Sequence, residues 1–334
     1  MYPSFSYLET TDFVSNSLHF MTCMEIPVHI FGAYCILLKT PDSMKSVKFS
    51  MLNLHIWSVL LDFSVSFLTT PFTLFPAIAG FPLGVLRELG VPTALQIYLI
   101  VCLFATVSVA ILGIFENRYF LLLSEPQNGR WRHFRVPFLT ANYIMTVLFF
   151  IPPYLNVPEQ SSAVTRVLEM LPSIPPSIRL QPIFVLSIDT TYILTAVASY
   201  TVFVIMEWVY FSCSVSRFLR RQVTISQNSM HLQRKFLNAM HIQTYTPLII
   251  LIIPLAYIGL SVSSRYHNQA LNNLCFVVIA LHGLASTLIM LMIHKPYREY
   301  CWSVFCVKGS KSDSITAPEQ NSRVRDVSTH YAVS

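Results

Sequence analysis

"QIYLIVCLFATVSVAILGIFENRY", residues 96–119, sets twenty residues without an acidic or basic side chain, Gln96 to Phe115, directly against Glu116, Asn117, Arg118 and Tyr119. Twenty residues of helix rise about 30 Å, the thickness of a bilayer's hydrocarbon core. An acid and a base at the end of such a run therefore sit where hydrocarbon gives way to water. Two readings fit: a membrane boundary, where arginine snorkels and tyrosine joins the aromatic belt, or a charged switch at the mouth of a helix bundle.

Composition settles the solvent around that stretch. The chain has 334 residues, 54% hydrophobic and 11% charged, against roughly 25% charged in a soluble domain. So few charges cannot coat a globule in water. The apolar residues also gather in seven blocks long enough to span: 18–38, 49–75, 96–115, 136–155, 183–206, 244–264 and 270–293. A membrane β-barrel would alternate polarity over about ten-residue segments, whereas "TPLIILIIPLAYIGLSV" at 246–262 does not alternate. The expected fold is an all-α membrane protein, a seven-transmembrane helix bundle. Pro27, Pro71, Pro247 and Pro254 fall inside the blocks, where neighbouring helices re-satisfy freed carbonyls.

Basic residues assign the two faces. One side holds Lys39, Lys45 and Lys48; Arg118, Arg130, Arg132 and Arg135; Arg217, Arg220, Arg221, Arg234 and Lys235; then Lys295, Arg298, Lys308, Lys311, Arg323 and Arg325. Only Arg87, Arg166, Arg179 and Arg265 fall on the other. Cytoplasmic loops are the basic ones, so residues 1–17 are expected outside and the carboxyl terminus inside. The net charge of +6 then reflects topology and gives no reason to expect a nucleic-acid partner; the lipid bilayer is the partner implied. The first block is too long, and lacks the basic flank, for a cleaved signal peptide. No internal repeat relates the first three blocks to the last three, which weighs against repeat-built transporters. Residues 307–334, rich in Ser and Thr with few large apolar residues, read as a disordered cytoplasmic tail.

Chemistry-bearing residues are sparse. The seven cysteines show no metal spacing and fall mostly in helices or on the cytoplasmic side, so no disulfide is expected. None of the ten histidines forms His-Glu-x-x-His, the zinc-hydrolase pattern; no enzyme, cofactor or metal site is expected. Charges inside a membrane cost about 2.5–3.5 kcal/mol each on insertion scales, so Glu25, Asp62, Asp189 and Glu207, with His55 and His282, each ask for a partner or a function. Asp62, in the middle of helix two, fits a sodium or proton site governing a switch, or a carboxylate held by Asn53, Ser64 or Ser286.

At the basic side, "SRFLRRQ" (216–222) and "QRKFLNAMHIQ" (233–243) put Arg217, Arg220, Arg221, Arg234 and Lys235 on extensions of helices five and six. They serve the positive-inside rule or contact a partner. Pro247 and Pro254 are kinks about which helix six can swing. "HKPYREYCWSVFC" (294–306) begins with a proline suited to a helix start. It reads as a short cytoplasmic amphipathic helix, 297–306, with Tyr297, Cys301, Val304 and Phe305 on one stripe and Trp302 beside it. Cys301 and Cys306 are lipidation candidates.

Several stretches carry a resemblance: "HIFGAYCILLKTP" (29–41), "SFLTTPFTLFPAIAGFPLGVLRELGVPTALQIYL" (66–99), "IFENRY" (114–119), "FVLSID" (184–189), "QRKFLNAMHIQ" and "NNLCFVVIALHGLASTLIMLMIHKPYR" (272–298). Together they resemble the nematode serpentine receptor class H chemoreceptors, and touch every helix but the fourth. The resemblance implies a seven-helix, GPCR-like chemosensory receptor for a small-molecule ligand, acting through a heterotrimeric G protein, in the plasma membrane of chemosensory cilia. It makes Glu116, Arg118 and Tyr119 similar to the Glu/Asp-Arg-Tyr latch of G-protein-coupled receptors, with the acid displaced by one residue. Where the family often reads Leu-Pro-Cys before helix five, this chain has Ser173. By depth alone, Phe72, Gln96, Asp189, Tyr192, Tyr257 and Asn272 are expected to face the ligand pocket. A seven-span ligand-gated channel or carrier is the alternative, with Glu25, Asp62, Asp189 and Glu207 lining a path. Nothing in the sequence sets an oligomeric state.

Overall fold

The structure, a computed structural model, describes residues 6–124, 129–221 and 227–305. Among them, seven helices are long and apolar enough to cross a membrane. Helix one is Thr11–Leu38 and helix two is Lys45–Phe63, continued by a π-helical turn over Ser64–Thr69. Helix three is Thr93–Tyr119, again continued by a π-helical turn, Phe120–Ser124. Helix four is Gly129–Leu148, helix five Thr190–Arg221, helix six Gln227–Ser264 and helix seven Gln269–Ile293.

Local chemistry explains where these helices begin. Helix one starts seven residues earlier than its apolar block, because the Thr10 side chain caps the Phe13 amide and Asp12 lies in the first turn. Asn268 caps helix seven in the same way, through the Leu271 amide. Helices three, five and six overrun their apolar blocks at the basic end, since a helix continues into water wherever its residues favour it and hydropathy marks only the membrane-buried part.

Two sequence boundaries are corrected. Helix two does not reach residue 75: Pro71 cannot donate to a helix and disfavours helical geometry before it, Thr70 turns left-handed (φ 43°), and Pro71–Thr73 becomes strand β1. Helix five does not start at 183, because Phe184–Ser187 is strand β3. With β2 (Ile78–Pro82) they form an antiparallel sheet in the order β1-β2-β3, pairing Phe72 with Phe81 and Ala79 with Val185. Both oxygen and nitrogen of the Gln160 side chain bond the Val185 backbone (2.9 and 3.1 Å), pinning the helix Gln160–Met170 to β3. Phe72, Leu74, Phe81, Val167, Ile178 and Val185 are buried in one apolar cluster that caps this hairpin end of the bundle.

Helix seven packs on helices one, two and six, and helix three on two, four and five. Half of the most apolar window of helices three and seven is buried, against 17% and 11% for helices four and five. Helices three and seven therefore form the axis of the bundle. A short helix, Lys295–Phe305, follows helix seven, with Tyr297 and Cys301 buried against Cys35, Met44 and Met290. Cys306 and the tail 307–334 lie outside the described residues.

Candidate functional site

Two polar assemblies stand out, one mid-bundle and one at the basic end. Mid-bundle, helix one contributes Glu25 and His29, four residues apart and so on one face, and helix two contributes Asp62 and Ser66. Asp62, 1% exposed, has His29 Nε2 at 3.2 Å from one carboxylate oxygen and accepts from the Gly283 amide at 3.2 Å on the other. His282 Nδ1 lies 3.6 Å from that second oxygen, an ionic neighbour beyond hydrogen-bond range. Glu25, 2% exposed, accepts from Ser66 Oγ at 3.2 Å, and Ser66 in turn accepts from Thr22. His29 Nδ1 reaches Thr287 Oγ1 at 3.1 Å, and His55 Nε2 meets the His29 carbonyl at 3.0 Å. Helix seven comes this close only because residue 283 is glycine: a methyl there would collide with the Asp62 carboxylate.

The expected holders of Asp62 are thus replaced. Asn53 lies nine residues away, on the opposite side of helix two, and donates to Tyr143 instead; Ser64 is two residues away and also faces off. Ser286 sits one turn beyond Gly283 and is not hydrogen-bonded to Asp62. Ligand atoms of Glu25, His29 and Asp62 lie within 4.8 Å of one another, a set that motif spacing does not reveal because it spans two helices.

At the basic end, Glu116 is completely buried. Its carboxylate accepts from Trp131 Nε1 at 2.9 Å and from Arg135 Nη2 at 2.9 Å, and Arg135 also donates to Asn117 Oδ1 at 3.2 Å. Asn117 Nδ2 donates to the Ser46 carbonyl, and the Arg135 guanidinium lies 4.0 Å over the Phe120 ring. The acid expected for Arg118 is therefore held by Arg135, since residues two apart on a helix point away from each other. Glu207, the acid near the inner end of helix five, accepts from Asn142 at 3.4 Å. Arg118 is half-buried, and Tyr119 packs edge-on against Trp131 and Phe211. Arg217, Arg220, Arg221, Arg234 and Lys235 are exposed, with Arg234 donating to the Leu219 carbonyl across helices five and six.

Of the residues expected around a ligand, Tyr257 and Asn272 come together: the Tyr257 hydroxyl donates to Asn272 Oδ1 at 3.0 Å, and Asn272 donates to the Phe75 carbonyl at 3.0 Å. Phe72 stacks on Phe81 inside the sheet, and Gln96 is buried, donating to the Val91 carbonyl. Asp189 and Tyr192 are exposed, Asp189 capping the Thr191 amide. The four acids suggested for a channel path are scattered between the mid-bundle cluster, the interface of helices four and five, and the hairpin-end surface. Pro254 is buried, its carbonyl facing Cys275 Sγ at 3.9 Å. Cys301, offered as a lipidation candidate, is 7% exposed and packed against Cys35, so an acyl chain on its sulfur would displace that packing.

Seven span-length helices packed in this order make a serpentine, multi-pass helical membrane bundle. The chain belongs to the serpentine type 7TM GPCR chemoreceptor Srh family, whose family model matches residues 9–307. It is similar to serpentine receptor class H-72 of Caenorhabditis elegans, 30% identical over 293 residues, covering 86% of this chain and 84% of that relative.

Proposed function

We propose that the protein binds a small-molecule odorant or pheromone-like ligand at its hairpin end, outside the cell, and activates a heterotrimeric G protein at its basic end. The observation that carries this reading is the shape of the basic end. Helix three brings Arg118 and the Glu116–Arg135 clasp to the same face as the extended helices five and six, which present Arg217, Arg220, Arg221, Arg234 and Lys235 to solvent. Such a surface suits an acidic partner, and the buried Pro254 gives helix six a point about which to move. Toward the ligand, the Tyr257–Asn272 pair places polar groups beside the hairpin, and a small-molecule pocket needs a few such groups to orient its occupant. The basic-residue partition supports an amino terminus outside and a carboxyl terminus in the cytoplasm.

The test is an odorant screen in a heterologous cell with a second-messenger reporter. A ligand-dependent response abolished by blocking G-protein signalling is expected. Ligand-gated current that persists under the same block would overturn the receptor reading in favour of a channel.

A further inference from the structure

We propose that Glu25, His29 and Asp62 form a binding site, within the bundle, for a divalent transition-metal ion of the zinc class. The proposal is independent of the G-protein reading, since it concerns what the helices hold whichever signal they carry.

Charge is the first argument. Two carboxylates, 2% and 1% exposed, lie with ligand atoms within 4.8 Å, and among the described residues no lysine or arginine pairs with either. In a low-dielectric bundle such a pair is stable only if its two negative charges are offset. One divalent ion offsets both, while a monovalent ion leaves one charge over.

Ligand geometry is the second. Each of the three side chains has one donor atom already held by the protein and a second turned to the common centre. Ser66 holds one oxygen of Glu25, and the other, Oε1, is buried without a hydrogen-bond partner. The Gly283 amide holds Oδ1 of Asp62, leaving Oδ2. Nδ1 of His29 meets Thr287 Oγ1 at 3.1 Å and Nε2 meets Asp62 Oδ2 at 3.2 Å; an ion seated between Nε2 and Oδ2 would replace that second hydrogen bond, with Nδ1–H then donating to Thr287. This is the arrangement in which outer-shell partners orient metal ligands. Ligands to zinc sit about 2 Å from the ion, so movements under about 1 Å bring the three atoms onto one centre. His282 Nδ1, buried and without a hydrogen bond, lies 3.6 Å from Oδ1 on the other side of the Asp62 carboxylate and outside the three-residue set.

The donor set selects the ion. An imidazole nitrogen with two carboxylates favours zinc or a neighbouring transition ion over calcium and magnesium, which prefer oxygen alone. A water-sized cavity lies on the basic-end side of the cluster, bordered by His55, Gln243, Ser286 and Thr287 together with Met51, Leu54 and Met290.

The experiment uses the full chain purified in detergent after chelation, with zinc as probe, read by zinc per chain after gel filtration and by zinc-dependent thermal stability. Wild type should retain about one zinc per chain and melt higher with zinc present. Glu25→Gln, His29→Gln and Asp62→Asn keep side-chain size and should each abolish both effects. Thr287→Val, which removes only the orienting hydroxyl, should fold normally and weaken zinc about 10- to 100-fold. Cobalt should give a visible absorption band in wild type and in Thr287→Val, and none in His29→Gln. Wild type that takes up no zinc, or variants that take up as much as wild type, would overturn the site.

Discussion

Removing the Arg135 side chain should destabilise the protein more than neutralising its partner, Glu116. Glu116 has no solvent exposure and Arg135 keeps a fifth of its side chain in contact with solvent (21%). Arg135→Ala therefore strands a buried carboxylate on a single hydrogen bond from Trp131, and losing one partner of a buried pair costs about 3–5 kcal/mol. Partial exposure of the arginine puts the expected loss near the lower limit, about 3 kcal/mol. Glu116→Gln leaves the uncompensated charge on Arg135, which can turn to water and still reaches Asn117; the expected loss is about 1 kcal/mol. The double variant should then be more stable than Arg135→Ala alone, because no stranded carboxylate remains. It should not regain wild-type stability, since the guanidinium's contact with the Phe120 ring, worth about 0.5–1 kcal/mol, is also gone. Thermal unfolding of the four proteins in one detergent measures the cycle. If Glu116→Gln is the worse single variant, or the two losses simply add, the clasp is not the buried ion pair described here.

Four further outcomes are expected. Gly283→Ala should lower stability by about 1–3 kcal/mol through collision with Asp62, whereas Gly113→Ala, with open space at its Cβ, should be neutral or stabilising by up to about 1 kcal/mol; melting curves compare them. His294, 4% exposed and hydrogen-bonded to Gln243, has its pKa pushed down by burial from 6.5 to about 4. The folded state thus resists a proton that the unfolded state accepts, so stability present above pH 6.5 is lost as pH falls toward 4, by about 3 kcal/mol in full; His294→Gln should flatten the fall in melting temperature across that window, and an unchanged profile would refute it. An epitope at the amino terminus should label on intact cells and one at Ser334 only after permeabilisation; the reverse pattern would invert the topology. Arg118→Ala should reach the cell surface yet signal weakly to any agonist, and normal signalling at normal surface level would make Glu116 to Tyr119 a membrane boundary and nothing more.

The seven helices were legible because membrane spans are written in composition: a run such as 96–115 needs no knowledge of neighbours. Strands β1 and β3 were not, since "PFT" and "FVLS" are as apolar as the helices they adjoin and periodicity cannot separate a short strand from a helix end. For β1, the prolines at 71 and 76 carried the missing signal. Site residues fared worse for a different reason. Depth along a helix follows from counting, but rotation does not, so Asp62 was found and its partners His29 and Gly283, with Thr287 behind His29, were missed. Glu25 and His29, four apart on one helix, were a readable sign. Arg135 was counted among charges that mark the inner face, and nothing in its own segment distinguishes a clasp from a solvated loop.

The hairpin between β1 and β2 is fastened to helix seven through its main chain. His267 and Asn272 both bond the Phe75 carbonyl, at 2.6 and 3.0 Å, and Gln269 takes the Thr73 carbonyl at 3.0 Å, while Asn273 takes that of Leu8 at 2.8 Å. Every residue type supplies the same carbonyl. Substitutions in the hairpin's side chains therefore leave these acceptors in place, and the surface at that end can change while its fastening to helix seven stays the same.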